Sequence, residues 1–206
     1  VLFILNVSCV KINPEPIENP NVITVGNNDL IISNEGGFQS GNASISIYNK
    51  DENTVNNNLY QSINQSNIGD ILQSITHINH ELFLIVNNSQ KIIIIDDRTF
   101  EYKSEINGFI SPRNLIPINS NTALVTDLYA NKIFVIDLNN KSIISEIDVN
   151  GWCEEMILHN GKVYVANVEG NQLYVIDTYS NQITDSISVT ENPSELEIDY
   201  LNNIWI

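Results

Sequence analysis

The sequence predicts an all-β fold, a β-propeller of four-stranded blades, and three observations carry that expectation. The first is a repeat of about 40 residues. Leu82–Asp96 (LFLIVNNSQKIIIID), Ala123–Asp137 (ALVTDLYANKIFVID) and Lys162–Asp177 (KVYVANVEGNQLYVID) each read as apolar strand, polar loop, apolar strand and closing Asp. The second is the spacing of the closing residues Asp96, Asp137 and Asp177, which fall 41 and 40 residues apart. The third is strand composition. Ile92, Ile93, Ile94 and Ile95, then Ile133, Phe134, Val135 and Ile136, are apolar without alternation. Such runs suit β-strands covered on both faces, as when a blade is packed between two others. A period of roughly 40 to 45 residues holding four strands marks a propeller blade. About four blades are visible, because a looser copy runs from Leu30 to Asn49; a fifth begins at Ile204.

The ends read differently from the repeats. Residues 1–9, VLFILNVSC, resemble the end of a lipoprotein signal peptide, with a lipobox in which Cys9 would carry lipid. Residues 10–20 hold three prolines and read as an extended tether. Residues 21–206 are then a partial β-propeller, a fragment of a longer one. Cys9 and Cys153 lie too far apart in character and sequence to suggest a disulfide framework.

Within a blade the strands are lettered a to d from the axis outward. In the third blade they are predicted at Asn114–Ile118, Ala123–Thr126, Lys132–Ile136 and Ser142–Asp148. Strand direction places the a–b and c–d turns on one face. There the closing aspartates open the c–d turns and are expected to bond backbone amides ahead of them. The b–c and d–a loops lie on the other face and differ from blade to blade, which makes that face the place to look for a ligand.

Charge narrows the partners. The formal net charge is −16, from 9 basic and 25 acidic residues. Such a surface repels phosphate backbones and anionic membranes, so no nucleic-acid partner is expected and membrane contact only through a lipid anchor. On the variable face, Arg113 could clamp an anionic ligand or pair with Asp127 or Glu154. Phe38, Tyr129 and Trp152 could form a stacking platform or plug the space between blades. Asn34, Glu35, Gln73, Asn87, Asn88 and Asn167 complete the candidate ligand-binding set, or simply form turns. Asp127 and Glu154 could hold calcium, although no EF-hand spacing supports it.

Catalytic signatures are missing: there is no G-x-S-x-G elbow and no P-loop. His77 and His80 (HINH) lie at an a–b turn with no acidic or cysteine partner at metal spacing, and a turn role is assigned to them. Cys153 has no histidine predicted on its face. No catalytic residue, metal site or cofactor is expected.

The stretches NEGGFQSGNASISIY (Asn34–Tyr48), GDILQS (Gly69–Ser74), IVNNSQKI (Ile85–Ile92), ISPRN (Ile110–Asn114), VTDLYANKIFVID (Val125–Asp137) and GWCEEM (Gly151–Met156) resemble the YncE-type propeller lipoproteins of Bacteroidetes. The resemblance runs from about Leu30 to the C-terminus. It implies seven blades and an outer-membrane surface address. One branch, BtuG-like, binds cobalamin and passes it to a TonB-dependent transporter. For that branch, Asn34, Phe38, Asn88, Arg113, Tyr129 and Trp152 would line the ligand. The function expected is therefore a surface-anchored, non-enzymatic ligand-binding propeller lipoprotein. The alternatives are a protein-interaction scaffold of the envelope, or a metal-dependent lactonase-like hydrolase using Asp70, Asp127 and Glu154.

Overall fold

A computed structural model describes Gly26 and residues 29–206 of the chain. The expected signal segment with Cys9 and the tether lie outside the described residues. Three complete blades follow one another, each a four-stranded antiparallel sheet in sequential order. Blade 2 holds β4 (Leu72–Ile78), β5 (Glu81–Val86), β6 (Lys91–Asp96) and β7 (Tyr102–Asn107). Blade 3 holds β8 (Pro112–Pro117), β9 (Thr122–Asp127), β10 (Lys132–Asp137) and β11 (Ser142–Asp148). Blade 4 holds β12 (Cys153–His159), β13 (Lys162–Asn167), β14 (Gln172–Asp177) and β15 (Gln182–Ser188). Blade 1 shows three strands, β1 (Leu30–Asn34), β2 (Ser44–Asn49) and β3 (Thr54–Asn56). Blade 5 shows β16 (Glu197–Ile198) paired with β17 (Ile204–Trp205), so it begins earlier than Ile204. Neighbouring inner strands pack on one another, β4 on β8 and β8 on β12.

The unbroken apolar runs are explained by the packing. Successive side chains of a strand point to opposite faces. Leu82, Leu84 and Val86 therefore enter a core with Ile45 and Ile47 of blade 1. Phe83 and Ile85 enter another with Val125, Phe134 and Ile136 of blade 3. Leu124, Ile133 and Val135 in turn meet Val163, Val165 and Ile176 of blade 4. Each inter-blade layer is its own hydrophobic core, and every b and c strand of the three complete blades contributes to two. Phe109 meets the ring of Phe134 edge-on, with centroids 5.1 Å apart.

A short helix, α1 (Leu59–Asn64), interrupts the all-β pattern on the way from blade 1 to blade 2. Its Leu59 and Tyr60 are buried in the first inter-blade core beside Phe100. Asn64 donates to the Phe100 carbonyl and accepts from Tyr102 N–H, tying the helix to the c–d turn of blade 2. The Asn-rich segment around it reads as loop because only two side chains are deeply buried.

The closing aspartates do what their position suggests. Asp96 accepts from the N–H groups of Arg98 and Thr99, Asp137 from Asn139 and Asn140, and Asp177 from Tyr179 and Ser180. Those N–H groups, with Lys103, hold the Asp96 carboxyl down at about 2.

Candidate functional site

The inner strands begin with an irregularity. Register shifts fall between Leu72 and Ser74, between Pro112 and Leu115, and between Cys153 and Met156. Each is a bulge at the end of an edge strand, a device that re-aims side chains. In each case it turns the same blade positions toward the axis. Gln73, Arg113, Glu154 and Ser194 recur there at the blade interval, followed by Ser74, Asn114, Glu155 and Glu195. Pro112 is tolerated at the start of β8 because that strand is an edge, with a neighbour on one side only.

All of these except Ser74 line a cleft of about 350 Å³ bounded by Gln73, Arg113, Asn114, Glu154, Glu155, Ser194, Glu195 and Glu197. Four carboxylates face one guanidinium. Arg113 and Glu154 form a bidentate pair, with Nε to Oε2 at 2.8 Å and Nη2 to Oε1 at 2.9 Å. Nη1 donates to the Gln73 side-chain oxygen. Trp152 Nε1 also donates to Glu154 Oε1, at 2.7 Å. Glu155 accepts the N–H of Leu196 across to the next blade.

Sequence reasoning set the start of these strands about two residues late. Arg113 and Glu154 lie on β8 and β12, not in free loops. Of the two fates open to Arg113, the ion pair with Glu154 is the one found, and Asp127 is not its partner. Each Arg113 nitrogen donates one hydrogen bond within the protein, three of its five N–H groups, and Glu154 already takes its side-on fork and matches its charge. Asn114, Glu155, Ser194, Glu195 and Glu197 were missed; their signal was the blade interval itself, applied to the inner strand.

Several predicted residues fasten loops instead of lining the cleft. The Asp127 carboxylate accepts from the N–H groups of Ile110, Ser111, Tyr129 and Ala130, and it is fully buried. Asn167, also fully buried, donates to the Asn150 carbonyl and accepts from Gly170. Asn87 donates to the Pro112 carbonyl of the next blade. Asn34 donates to Ser46 Oγ within blade 1. Asn88 donates to Asp70, which also accepts the Gln39 N–H. Those contacts, that of Asn88 first, hold the Asp70 carboxyl below its ordinary range. The Glu35 side chain is exposed and its carbonyl accepts from Leu72.

The three aromatics are not plugs between blades. Phe38 is 68% exposed, Tyr129 69% and Trp152 38%. Each sits beside a loop tie: Phe38 before Gln39, Tyr129 on the Asp127 network, and Trp152 with its carbonyl bonded to Val168. Cys153 is buried, and burial, aided by the charge of Glu154, pushes its thiol up to about 12. It is therefore a thiol and not a thiolate nucleophile at neutral pH. Asp70, Asp127 and Glu154 do not converge, and among the described residues no three His, Cys, Asp or Glu side chains are set out to hold a metal ion. Among the described residues no helix is long and apolar enough to cross a membrane.

Repeating four-stranded blades with inner strands side by side and a cleft at their bulged ends define a β-propeller. The chain belongs to the family described as a domain of unknown function, DUF5074, which it matches over residues 28–196. No curated protein matches it. Among solved structures it is similar to a quinonprotein alcohol dehydrogenase-like protein from Bacteroides thetaiotaomicron, with a TM-score of 0.63 and 17% identity over 80% of this chain and 43% of that one. It is similar to apo AztD from Citrobacter koseri, with a TM-score of 0.54 and 14% identity over 84% of this chain and 47% of that one. It is also similar to the β-propeller domain of Cps50 (Swd1) from Myceliophteria thermophila, with a TM-score of 0.63 and 9% identity over 78% of this chain and 54% of that one. At these identities the likeness is one of fold. The chain spans about half the length of each of these structures.

Proposed function

We propose that this chain is the ligand-binding part of a non-enzymatic propeller and that its ligand lies across the face of the b–c and d–a loops. One observation carries the reading: Phe38, Tyr129 and Trp152 are exposed on that face while hydrogen bonds hold the loop backbone at or beside each. Rigidly mounted, exposed aromatics provide contact area at low entropic cost, which suits recognition. The cleft around Arg113 and Glu154, at about 350 Å³, is too small to enclose a large ligand, so a large ligand would rest on the aromatics and reach inward with hydrogen-bonding groups. Arg113 being paired and the cleft being rich in carboxylates argue for a ligand whose inward groups donate hydrogen bonds, such as amides or ammonium groups.

A corrin bearing amide side chains has this chemistry, and the resemblance to the BtuG-like branch points the same way. On this reading Cys9 carries a lipid, the protein stands on the outer-membrane surface, and a TonB-dependent transporter receives the cobalamin. The hydrolase alternative needs Asp70, Asp127 and Glu154 around one ion, and their carboxylates are engaged in separate places.

The test is a titration with cyanocobalamin, on this chain and on any longer form of the protein. Saturable one-to-one binding, weakened several-fold by each of Phe38→Ala, Tyr129→Ala and Trp152→Ala, supports cobalamin capture. Several-fold is what the loss of one aromatic contact, about 0.5–1.5 kcal/mol, produces. Absence of binding at about 100 μM, well above the range of a dedicated carrier, removes cobalamin and leaves a protein partner for the same aromatic face.

A further inference from the structure

A second cleft, of about 220 Å³, lies among the b–c and d–a loops of blade 1 and shares no residue with the one around Arg113. One wall is the end of the b–c loop where it enters β2. The other is the segment that carries α1 and runs on toward β4. Both walls are fixed. The Ala43 N–H donates to the Gly69 carbonyl at 3.2 Å, and Ser46 Oγ donates to the Asn57 side-chain oxygen at 2.7 Å. Asn64 ties the far end of α1 to blade 2.

The lining differs in kind from that of the first cleft. Around Arg113 there are four carboxylates and a guanidinium; here no lining residue is charged. The rim is Ser40, Asn42, Ser44, Asn58, Gln61 and Asn67, and the buried floor is Ala43, Tyr60 and Ile68. Asn87 and Asn167 are loop fasteners, but the rim side chains are not. Asn58 immediately precedes α1, yet its side chain makes no capping bond. Ser40 and Gln61 bond through their backbone. Most telling is Tyr60, which is 3% exposed and bonds through its backbone carbonyl. Its hydroxyl has no partner among the described residues, and it is not one of the atoms sealed from water without one. The opening left to that hydroxyl is the cleft that Tyr60 lines. A buried phenol ordinarily finds a hydrogen-bond partner, so this one marks a place for a ligand group.

We propose that this cleft binds one neutral sugar ring, either a free monosaccharide or the terminal residue of a glycan. An ion would lose its water here with no counter-charge to replace it. Amides and hydroxyls both donate and accept, as sugar hydroxyls do, so a rim of Asn, Gln and Ser with the Tyr60 hydroxyl answers either role. The C–H face of the ring is apolar and would lie on Ala43 and Ile68. The volume of about 220 Å³ falls below the roughly 300 Å³ at which pockets for drug-sized ligands begin, which suits one ring and not a chain of them. Walls already tied in place keep the ordering cost of binding low. The site shares no side chain with the cobalamin reading and stands or falls apart from it.

The experiment is saturation-transfer NMR on the whole chain with glucose, galactose, mannose, fucose and N-acetylglucosamine. Saturable binding of at least one of them, with a Kd below about 10 mM, is expected. A trisaccharide of that sugar that binds at least as well identifies a glycan terminus, and one that does not bind identifies a free sugar. Tyr60→Phe removes an oxygen that has no partner among the described residues. Its melting temperature should hold while sugar binding weakens about fivefold, the worth of one hydrogen bond. Asn58→Gly suits the φ of 54° there and should weaken binding likewise. Gln182→Ala, on blade 4, should leave binding unchanged. No binding of any of the five sugars at about 20 mM, glucuronate bound as well as the neutral sugars, or Tyr60→Phe binding as the parent does, overturns the proposal.

Discussion

At the c–d turns, blades 2, 3 and 4 close with the same residue making the same contacts: Asp96, Asp137 and Asp177 each accept two backbone N–H groups ahead of them. At the bulged start of the inner strands, the same blades carry Gln73, Arg113 and Glu154, and Ser194 follows at the same interval ahead of β16. The two regions repeat at one interval and treat it in opposite ways. Where geometry is the whole task, one side chain recurs. Where the bulge aims side chains into a shared cleft, every blade supplies a different one. In a repeat protein, fold is read from what recurs and specificity from what does not.

The comparison rests on the inter-blade cores, and the largest effect should come from breaking one. Ile94 is fully buried between blades 2 and 3, whereas Ile144 on the outer strand β11 is 56% exposed. Ile94→Ala should cost about 2–5 kcal/mol in urea unfolding. Ile144→Ala should stay within about 0.5 kcal/mol. Equal losses would mean that the inter-blade layer carries no more of the stability than the outer surface.

A second experiment sharpens the view of the cleft. Glu154→Ala strands the Arg113 guanidinium and the Trp152 N–H together. A fully buried pair broken this way loses about 3–5 kcal/mol. Arg113 is 21% exposed, so about 2–3 kcal/mol is expected here. The double variant Arg113→Met with Glu154→Leu should recover part of that loss, because the guanidinium is no longer left without Glu154. A double variant as unstable as Glu154→Ala alone would show that the pair holds the cleft by shape and not by charge.

Much of this architecture is legible in the sequence, and the misreadings have physical causes. Strands b and c are read correctly because burial on both faces leaves a continuous apolar signal, as at Ile92–Ile95. The inner strands are read late because the bulge breaks alternation where Arg113 and Glu154 sit. Helix α1 is hidden because its buried pair, Leu59 and Tyr60, is embedded in Asn-rich sequence that resembles a turn. Asp127 and Asn167 are read as ligand groups because an exposed donor and a loop fastener have the same side chains. Only burial and a count of backbone partners separate them. The contacts of His77 and His80 with Asp97 cannot be seen along the chain, since two different turns supply them.

The smallest effect expected is at the recurring turn itself. Asp96 is held at about 2 in the folded chain by the N–H groups of Thr99 and Arg98 and by Lys103. An Asp in the unfolded chain titrates near 3.9. The folded value is the lower one, so the stabilising contribution is complete above about pH 4 and is lost as pH falls toward about 2. Asp96→Asn should remove about 1 kcal/mol at pH 7, after allowance for solvent screening of a partly exposed group. Near pH 2 the variant and the parent should converge, because the parent's carboxyl is then being protonated. Asp137 and Asp177 are lowered by the same kind of backbone contact, so their Asn variants should narrow the gap with pH in the same direction. The recurring aspartate would then act through its charge on the turn amides. A gap that stays constant from pH 7 to pH 2 would instead assign it to the hydrogen-bonding geometry of the turn, which the carboxamide fits less well than either form of the carboxyl group.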